Sequence, residues 1–292
     1  MSNKTTLAQA IKWLADALAD TGIDNPMRDA RLIASHALKI PMHRLTVSMQ
    51  DELDQADVQI LRDVSHARLE RRPLSHVLGH RSFFKHEFHV GPDVLDPRPE
   101  TETLVVAALG KPFNRVLDLG VGSGAILLSL LAEQETAYGV GTDISSSALR
   151  YAQRNADRLG VAERCEFVHS DWFENVSGSY DMIVSNPPYI AADEMEGLSP
   201  ELGFEPRIAL TDEADGLSAY RILIANAGQY LQSGGHLIVE IGPTQGAEVA
   251  RMFAKAGFKN VHILLDLDRR DRIVEGVWQV EQDTKICQKP GK

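Results

Sequence analysis

Val116-Leu117-Asp118-Leu119, followed at once by Gly120-Val121-Gly122-Ser123-Gly124, is the stretch that decides the fold. A short apolar run bounded by glycines reads as a buried strand, and the glycines allow a sharp turn and a close approach of backbone to ligand. Residues 125 to 133 then read as a helix. The alternation continues downstream: Tyr138 to Asp143 as a strand, 145 to 159 as a helix, and Cys165-Glu166-Phe167-Val168 and Met182-Ile183-Val184 as strands. After a long loop come a helix from about 216 to 232 and the strand His236 to Ile241. Such a series predicts an α/β fold with a mostly parallel sheet and a ligand site at the carboxyl ends of its strands. A crossover helix near 246 to 256 precedes Val261 to Leu267 and Arg272 to Trp278, two runs joined by polar residues that predict an antiparallel hairpin at the end of the sheet.

Upstream the period changes. Leu7, Ile11, Leu14 and Leu18 recur at spacings of four, three and four, one stripe of a helix that Thr21-Gly22 and Asn25-Pro26 bring to an end. Arg28 to Leu38 and Ala56 to Arg71, the latter with Ile60, Leu61 and Val64 inward, predict two more helices, and the three stripes bury against one another in a small bundle. Phe83-Phe84 and Phe88-His89-Val90 predict a short β-hairpin. Pro97-Arg98-Pro99 is stiff and extended, and a helix is expected from Glu100 through Ala108. The organisation read from these changes is a helical domain over 1–75, a linker with a hairpin over 76–110, an α/β domain over 111–280 and a polar tail over 281–292.

The chain has 292 residues, 43% of them hydrophobic and 24% charged, the profile of a globular protein. Met1 to Thr6 lacks the basic and apolar blocks of a signal peptide, and no run of about 18 apolar residues occurs, so a cytoplasmic protein is expected. Cys165 and Cys287 lie far apart, and no His or Cys stands near them at ligand spacing, so neither a disulfide framework nor a metal site is predicted. A net charge of −11 opposes a protein that draws its affinity from nucleic-acid phosphates. The basic runs Arg68 to Arg72 and Arg269 to Arg272 are interleaved with acids and read as solvated faces or ion-pair networks.

Gly120, Val121, Gly122, Ser123 and Gly124 form a loop that also fits a dinucleotide pattern, weakly. Asp143, at the end of the next strand and nineteen residues beyond Gly124, is placed to accept both hydroxyls of a ribose. These features fit a nicotinamide cofactor or S-adenosyl-L-methionine. Three others favour the second: Asp118 precedes the glycines, where it can face a cationic methionine moiety; Asp171-Trp172 follows the third strand, where adenine is expected; and Asn186-Pro187-Pro188-Tyr189 follows the fourth. Two prolines remove two backbone donors and leave Asn186 and the following carbonyls as a stiff, acceptor-rich edge. Acceptors fixed around both N–H bonds of a planar NH2 group favour the pyramidal nitrogen that attacks an electrophilic carbon. Tyr189 adds a flat wall for an amide or a base.

The glycine loop, Asp143, Asp171-Trp172 and Asn186-Pro187-Pro188-Tyr189 resemble class I S-adenosylmethionine-dependent methyltransferases that act on exocyclic or amide nitrogens. With Arg98-Pro99-Glu100-Thr101-Glu102 and the helical bundle, the chain, from about residue 7 to 279, resembles the peptide chain release factor glutamine methyltransferases, the PrmC/HemK family. The resemblance implies a Rossmann-like class I sheet and methylation of the glutamine nitrogen in the Gly-Gly-Gln motif of class 1 release factors, with S-adenosyl-L-methionine as donor. It implies Asn186, Pro187 and Tyr189 as catalytic residues and Pro188, Arg98 and Glu102 as further substrate contacts. Cofactor contacts would come from Asp118, the loop 120–124, Asp143, Asp171, Trp172 and Asn186. The helical bundle would grip the substrate, and the enzyme would be a monomer with no stable nucleic-acid partner and no membrane. Asp96 departs from the family, where an aliphatic residue is commoner. A glutamine methyltransferase of a large-subunit ribosomal protein and an adenine-directed DNA methyltransferase share the catalytic residues and stay open as alternatives.

Overall fold

The computed structural model describes residues 5–280; Cys287 and the tail expected from 281 lie outside them. The chain divides into two compact units, Met1–Pro97 with Asp193–Leu210, and Arg98–Ala192 with Thr211–Lys292.

In the first unit β1 (Thr5–Thr6) pairs with β2 (Glu52–Leu53), and the helices are α1 (Leu7–Asp20), α2 (Pro26–Ala37), α3 (Met42–Leu45), α4 (Gln55–Leu69) and α5 (Leu74–Leu78). A capping box starts α1: the Thr6 hydroxyl accepts from Gln9 N at 3.3 Å while Gln9 Oε1 accepts from Thr6 N at 2.9 Å. Pro26 begins α2 at a position where its missing N–H costs nothing. Leu7, Ile11, Leu14 and Leu18 all face inward, packed with Ile33 and Leu61, and each fully buried leucine contributes about 2 kcal/mol. Of the α4 residues expected inward, Leu61 is buried and Val64 packs against the core, whereas Ile60 is 45% exposed. Strands β3 (His80–Phe83) and β4 (His86–His89) form the expected hairpin.

Residues 193–210 join this unit through charge. Glu201 receives hydrogen bonds from Arg71 Nε at 2.8 Å, Arg71 Nη2 at 2.8 Å and Arg68 Nη1 at 3.2 Å. Arg68 is itself held by Asp29, Nε to Oδ2 at 2.9 Å. The Arg72 guanidinium lies 5.7 Å from the Phe204 ring centroid, and Asp96 N donates to Glu205 Oε2 at 3.2 Å. The basic run 68–72 is therefore an ion-pair network, and Asp96 is buried with the Arg81 guanidinium 3.7 Å away.

The second unit opens with a 3-10 turn, Pro99–Thr101, and α6 (Glu102–Leu109), where the sequence predicts one helix. Then follow β5 (Arg115–Leu119), α7 (Ala125–Glu133), β6 (Tyr138–Asp143), α8 (Ser146–Leu159), β7 (Cys165–His169), β8 (Tyr180–Ser185), α9 (Ser218–Ala227), β9 (Leu231–Glu240), α10 (Gly246–Ala256), β10 (Lys259–Leu265) and β11 (Asp271–Val277). They build a seven-stranded sheet in the order β10-β11-β9-β8-β5-β6-β7, parallel from β9 to β7, with the last two strands antiparallel. The final strand β11 inserts beside β9, and β10 takes the edge. Burial explains the order, since Ile273, Val274 and Gly276 of β11 are covered while β10 is mostly exposed or half-exposed. Among the described residues no helix is long and apolar enough to cross a membrane.

Strand β9 starts at Leu231 rather than His236, and α9 ends at Ala227. Gly234-Gly235 reads locally as a turn, yet Gly234 N donates to Trp278 O at 2.7 Å and Gly235 O accepts from Trp278 N at 2.8 Å. The backbone at Trp278 thus supplies the partners that keep the glycine pair within the strand.

Replacing Glu201 by Ala strips two partly buried guanidinium groups of their shared acceptor. Limited proteolysis is expected to cut within 193–210 several-fold faster, with a lower melting temperature; an unchanged cleavage rate would show that the ion-pair network does not hold this segment.

Candidate active site

Parallel strands end together, so the residues that follow β5, β6, β8 and β9 gather at one edge of the sheet. The chain runs outward from β5 to β6 and β7, then returns to place β8 on the other side of β5, in register through Val116 with Met182, Leu117 with Ile183 and Asp118 with Val184. A crevice opens where strand order reverses in this way. The buried Ser185 hydroxyl ties its walls by donating to Leu119 O at 2.6 Å.

One wall is the glycine loop. Gly120, Gly122 and Gly124 have φ of 76°, 54° and 84°, a conformation that strains any side chain. A Cβ on Gly124 would lie 2.7 Å from Leu128 Cδ1, whereas a Cβ on Gly120 or Gly122 would meet nothing within 4 Å. Gly124 is thus needed for packing against α7; the space beside the other two is open. The loop is fixed from behind. Gly120 N and Val121 N both donate to Thr142 O, Ser123 O accepts from the buried Asn155 Nδ2 at 2.8 Å, and Gly122 N donates to Asp143 Oδ2 at 2.9 Å.

Asp143 also accepts from Ser145 N at 2.8 Å, which ties it to the start of α8. Each of its oxygens thus takes one backbone N–H and keeps a second acceptor direction. Burial raises its pKa, against the pull of these bonds. Asp118 is completely buried: Oδ2 accepts from Leu127 N at 3.2 Å, and Oδ1 has no hydrogen-bond partner. Burial, with the nearby Asp143 charge adding to it, pushes its pKa up to about 7.

After β7, Asp171 is exposed and Trp172 is half-buried against the sheet core. Trp172 has φ of 48°, unusual for a large residue, and the turn is locked by the Ser170 hydroxyl, which donates to Trp172 O at 3.0 Å and accepts from Asn175 N at 3.0 Å.

The facing wall is Asn186 to Tyr189. Asn186 Nδ2 donates to the buried Thr101 Oγ1 at 3.2 Å, and the Thr101 side chain hydrogen-bonds Glu240. Tyr189 O accepts from Gln245 Nε2 at 2.9 Å, and Gln245 Oε1 accepts from Gly242 N at 2.9 Å, with the Tyr220 hydroxyl 3.3 Å away. Gly216 has no room for a side chain here, since a Cβ would collide with Tyr189 O. The Tyr189 hydroxyl lies 3.5 Å from Glu240 Oε1, and burial followed by the Glu240 charge raises its pKa far above normal. Glu240 is fully buried with Arg272 Nη1 4.0 Å away; burial pushes its pKa up to about 7 although Thr101 and Arg272 oppose the shift.

The loop 120–124, Asp118, Asp143, Asn186, Pro187 and Tyr189 meet at this edge, and Trp172 follows the next strand. Arg98 precedes the turn that holds Thr101, and its charge acts on Tyr189; Glu102, half-buried, starts α6. Sequence reasoning does not single out Thr101, Glu240, Gln245 or Gly216. An acid closing the apolar run that ends at Val239 is the one visible signal.

Residues 9–79 match the family described as PrmC N-terminal domain, and residues 98–199 match the Methyltransferase small domain. The chain is 47% identical over 268 residues to a release factor glutamine methyltransferase of Cereibacter sphaeroides, covering 91% of this chain and 96% of that protein. It is 41% identical to one of Caulobacter vibrioides, covering 93% and 96%. A methyltransferase of Pyrococcus furiosus superposes with a TM-score of 0.51 at 18% identity, over 66% of this chain and 89% of that one, which shows a common fold.

The pKa of Asp118 gives a pH signature. A carboxyl whose folded pKa exceeds the unfolded value of about 3.9 lends stability that is complete below pH ~4 and lost as pH rises towards about 7. Asp118→Asn escapes this loss and keeps an acceptor for Leu127 N. In ligand-free protein its melting temperature is therefore expected to gain on wild type by several degrees between pH 5 and pH 8; a constant difference would contradict the assignment.

Proposed function

The chain belongs to the release factor glutamine methyltransferase family, and from that premise we propose that it methylates the side-chain nitrogen of the glutamine in the Gly-Gly-Gln motif of class 1 peptide chain release factors. The observation that carries this reading is the orientation of Asn186. Its NH2 is occupied by Thr101, so its Oδ1 is the end left to receive an N–H.

The edge of the sheet fits S-adenosyl-L-methionine as donor. Asp118 has a buried oxygen without a partner, an acceptor suited to a cationic amine, and Gly120 and Gly122 leave open space where a ligand can lie against the backbone. Asp143 keeps acceptor directions for two ribose hydroxyls, and Asp171 and Trp172 are assigned to the adenine. Bound there, the cofactor brings a methyl group already activated by a cationic sulfur.

Asn186 Oδ1 and the carbonyl of Pro187 accept the two N–H bonds of the glutamine. This draws the lone pair out of amide conjugation and aims the nitrogen at the methyl carbon. Tyr189, with its backbone held by Gln245 and its hydroxyl too weakly acidic to ionise, packs on the amide plane. S-adenosyl-L-methionine held there would supply the methyl group, and the methylated nitrogen would pass its extra proton to water. Neither a covalent enzyme intermediate nor a strong base is needed. Arg98 and Glu102 are assigned to the flanks of the Gly-Gly-Gln loop, whose glycines let it enter without side chains.

We assign the helical domain over 1–75 to recognition of the body of the release factor, and residues 76–110 to the connection with the catalytic domain over 111–280. The enzyme would work in the cytoplasm as a monomer, without stable nucleic-acid binding.

Asn186→Ala is expected to lower kcat by about 100-fold or more, the usual cost of losing a transition-state acceptor, far more than it weakens calorimetric affinity for S-adenosyl-L-methionine. Equal losses in both would count against the role. Asp143→Ala should chiefly weaken cofactor binding. Radiolabelled-methyl transfer with release factor, large-subunit ribosomal protein and DNA offered side by side tests the substrate; label appearing on DNA or ribosomal protein alone would overturn the reading.

A further inference from the structure

We infer that Thr101 and Glu240 are positioning residues for methyl transfer: together they decide which end of the Asn186 amide faces the substrate. The inference rests on the reading of Asn186 as the acceptor of the target nitrogen.

An asparagine amide has two ends of nearly equal size and opposite polarity, and rotation about its last bond exchanges them. Only the Oδ1 end can accept from a glutamine NH2. The Nδ2 end would set N–H against N–H and destroy the site's chemistry, so something must hold the choice. Thr101 stands 3.2 Å from Nδ2 and is 4% exposed, which leaves no bulk water to substitute for it. A threonine hydroxyl has one proton to give. The Thr101 side chain hydrogen-bonds Glu240, and above the Glu240 pKa of about 7 the ionised carboxylate is acceptor-only and takes that proton. With its proton committed, Oγ1 can offer Asn186 nothing but a lone pair. The amide therefore turns its NH2 to Thr101 and its oxygen outward.

Each member is held in turn. Thr101 closes a 3-10 turn, its N–H donating to Arg98 O at 3.1 Å. Glu240 ends β9 with 0% exposure, its own carbonyl accepting from the buried Tyr220 hydroxyl at 2.9 Å. Arg272 lies 4.0 Å from the carboxylate and favours its ionised form; Arg272 in turn is fixed by Asp266 at 3.2 Å. Burying a carboxylate is costly. Glu240 incurs that cost behind Thr101, out of direct contact with the amide it controls. It also receives the Tyr189 hydroxyl at 3.5 Å, so a single buried charge steadies both ends of the Asn186–Tyr189 wall.

The test is a double-mutant cycle on the full chain with release factor as substrate. Thr101→Val keeps shape and removes the hydroxyl; Thr101→Ser keeps the hydroxyl. Thr101→Val is expected to lower kcat about tenfold or more, with KM and calorimetric cofactor affinity within about twofold, and Thr101→Ser to retain most of the rate. In the Asn186→Ala background, under single-turnover conditions, Thr101→Val should add less than about a twofold loss, because the group it orients is gone. Thr101→Ala gives the same comparison if Thr101→Val does not fold. An equal loss from the Thr101 change in both backgrounds, or from Ser as from Val, would overturn the inference and leave Thr101 as a structural residue. Full activity of Asn186→Ala would instead overturn the reading of the site itself.

Discussion

Strands β5 and β8 pair in parallel although β6 and β7 lie between them in the chain, and the register Asp118 opposite Val184 sets the level at which both end. Everything at the candidate site follows from that adjacency. It puts the glycine loop after one strand beside the Asn186 segment after the other, and the Ser185–Leu119 hydrogen bond locks the two exits together. A crevice of this kind needs no cavity carved from the core, because loops diverge wherever strand order reverses. Behind the glycine loop α7 is closed to water, with Leu127, Leu128, Leu130 and Leu131 fully buried.

Two carboxylates are buried at this edge, and both carry raised pKa values for the same reason. Asp118 and Glu240 are each fully enclosed, and loss of hydration outweighs the hydrogen bonds they receive. Their surroundings differ. Asp118 has one oxygen spent on the N-terminal turn of α7 and one without a partner. Glu240 is surrounded by Thr101, Tyr189 and Arg272, although its Oε2 likewise has no hydrogen-bond partner.

The first unit obeys a simpler rule. Its helices exist because a stripe of leucine and isoleucine at helical spacing has to be covered, and capping boxes at Thr6 and Asp54 fix where two of them start. Its long-range device is the Arg68–Arg71–Glu201 cluster, which recruits residues 193–210 from the far part of the chain. An acidic segment of 3-10 turns thereby becomes part of a helical unit with which it shares no sequence neighbourhood. Ion pairs at the surface contribute little, but Arg68 and Glu201 are both largely shielded here.

Local sequence determined the elements whose signal is local. The α1 stripe, the strand–glycine–helix run from Arg115 to Glu133, the strand Tyr138–Asp143 and the helix at 246–256 are legible because periodicity and glycine chemistry act within a few residues. The stiff, acceptor-rich character of Asn186-Pro187-Pro188-Tyr189 is legible too, since proline geometry needs no context. Tertiary structure alone decided the rest. Strand order at the sheet's end, with β11 inside β10, depended on which strand found cover on its faces. The early start of β9 depended on the Trp278 backbone, whose hydrogen bonds hold Gly234-Gly235 in the strand. The partner of Asn186 is Thr101, itself bonded to Glu240, and these remote residues meet only when β8, β9 and the turn at Pro99–Thr101 converge. A residue's type states what it can donate or accept; only the folded chain says to whom, and at Asn186 it gives the NH2 to Thr101.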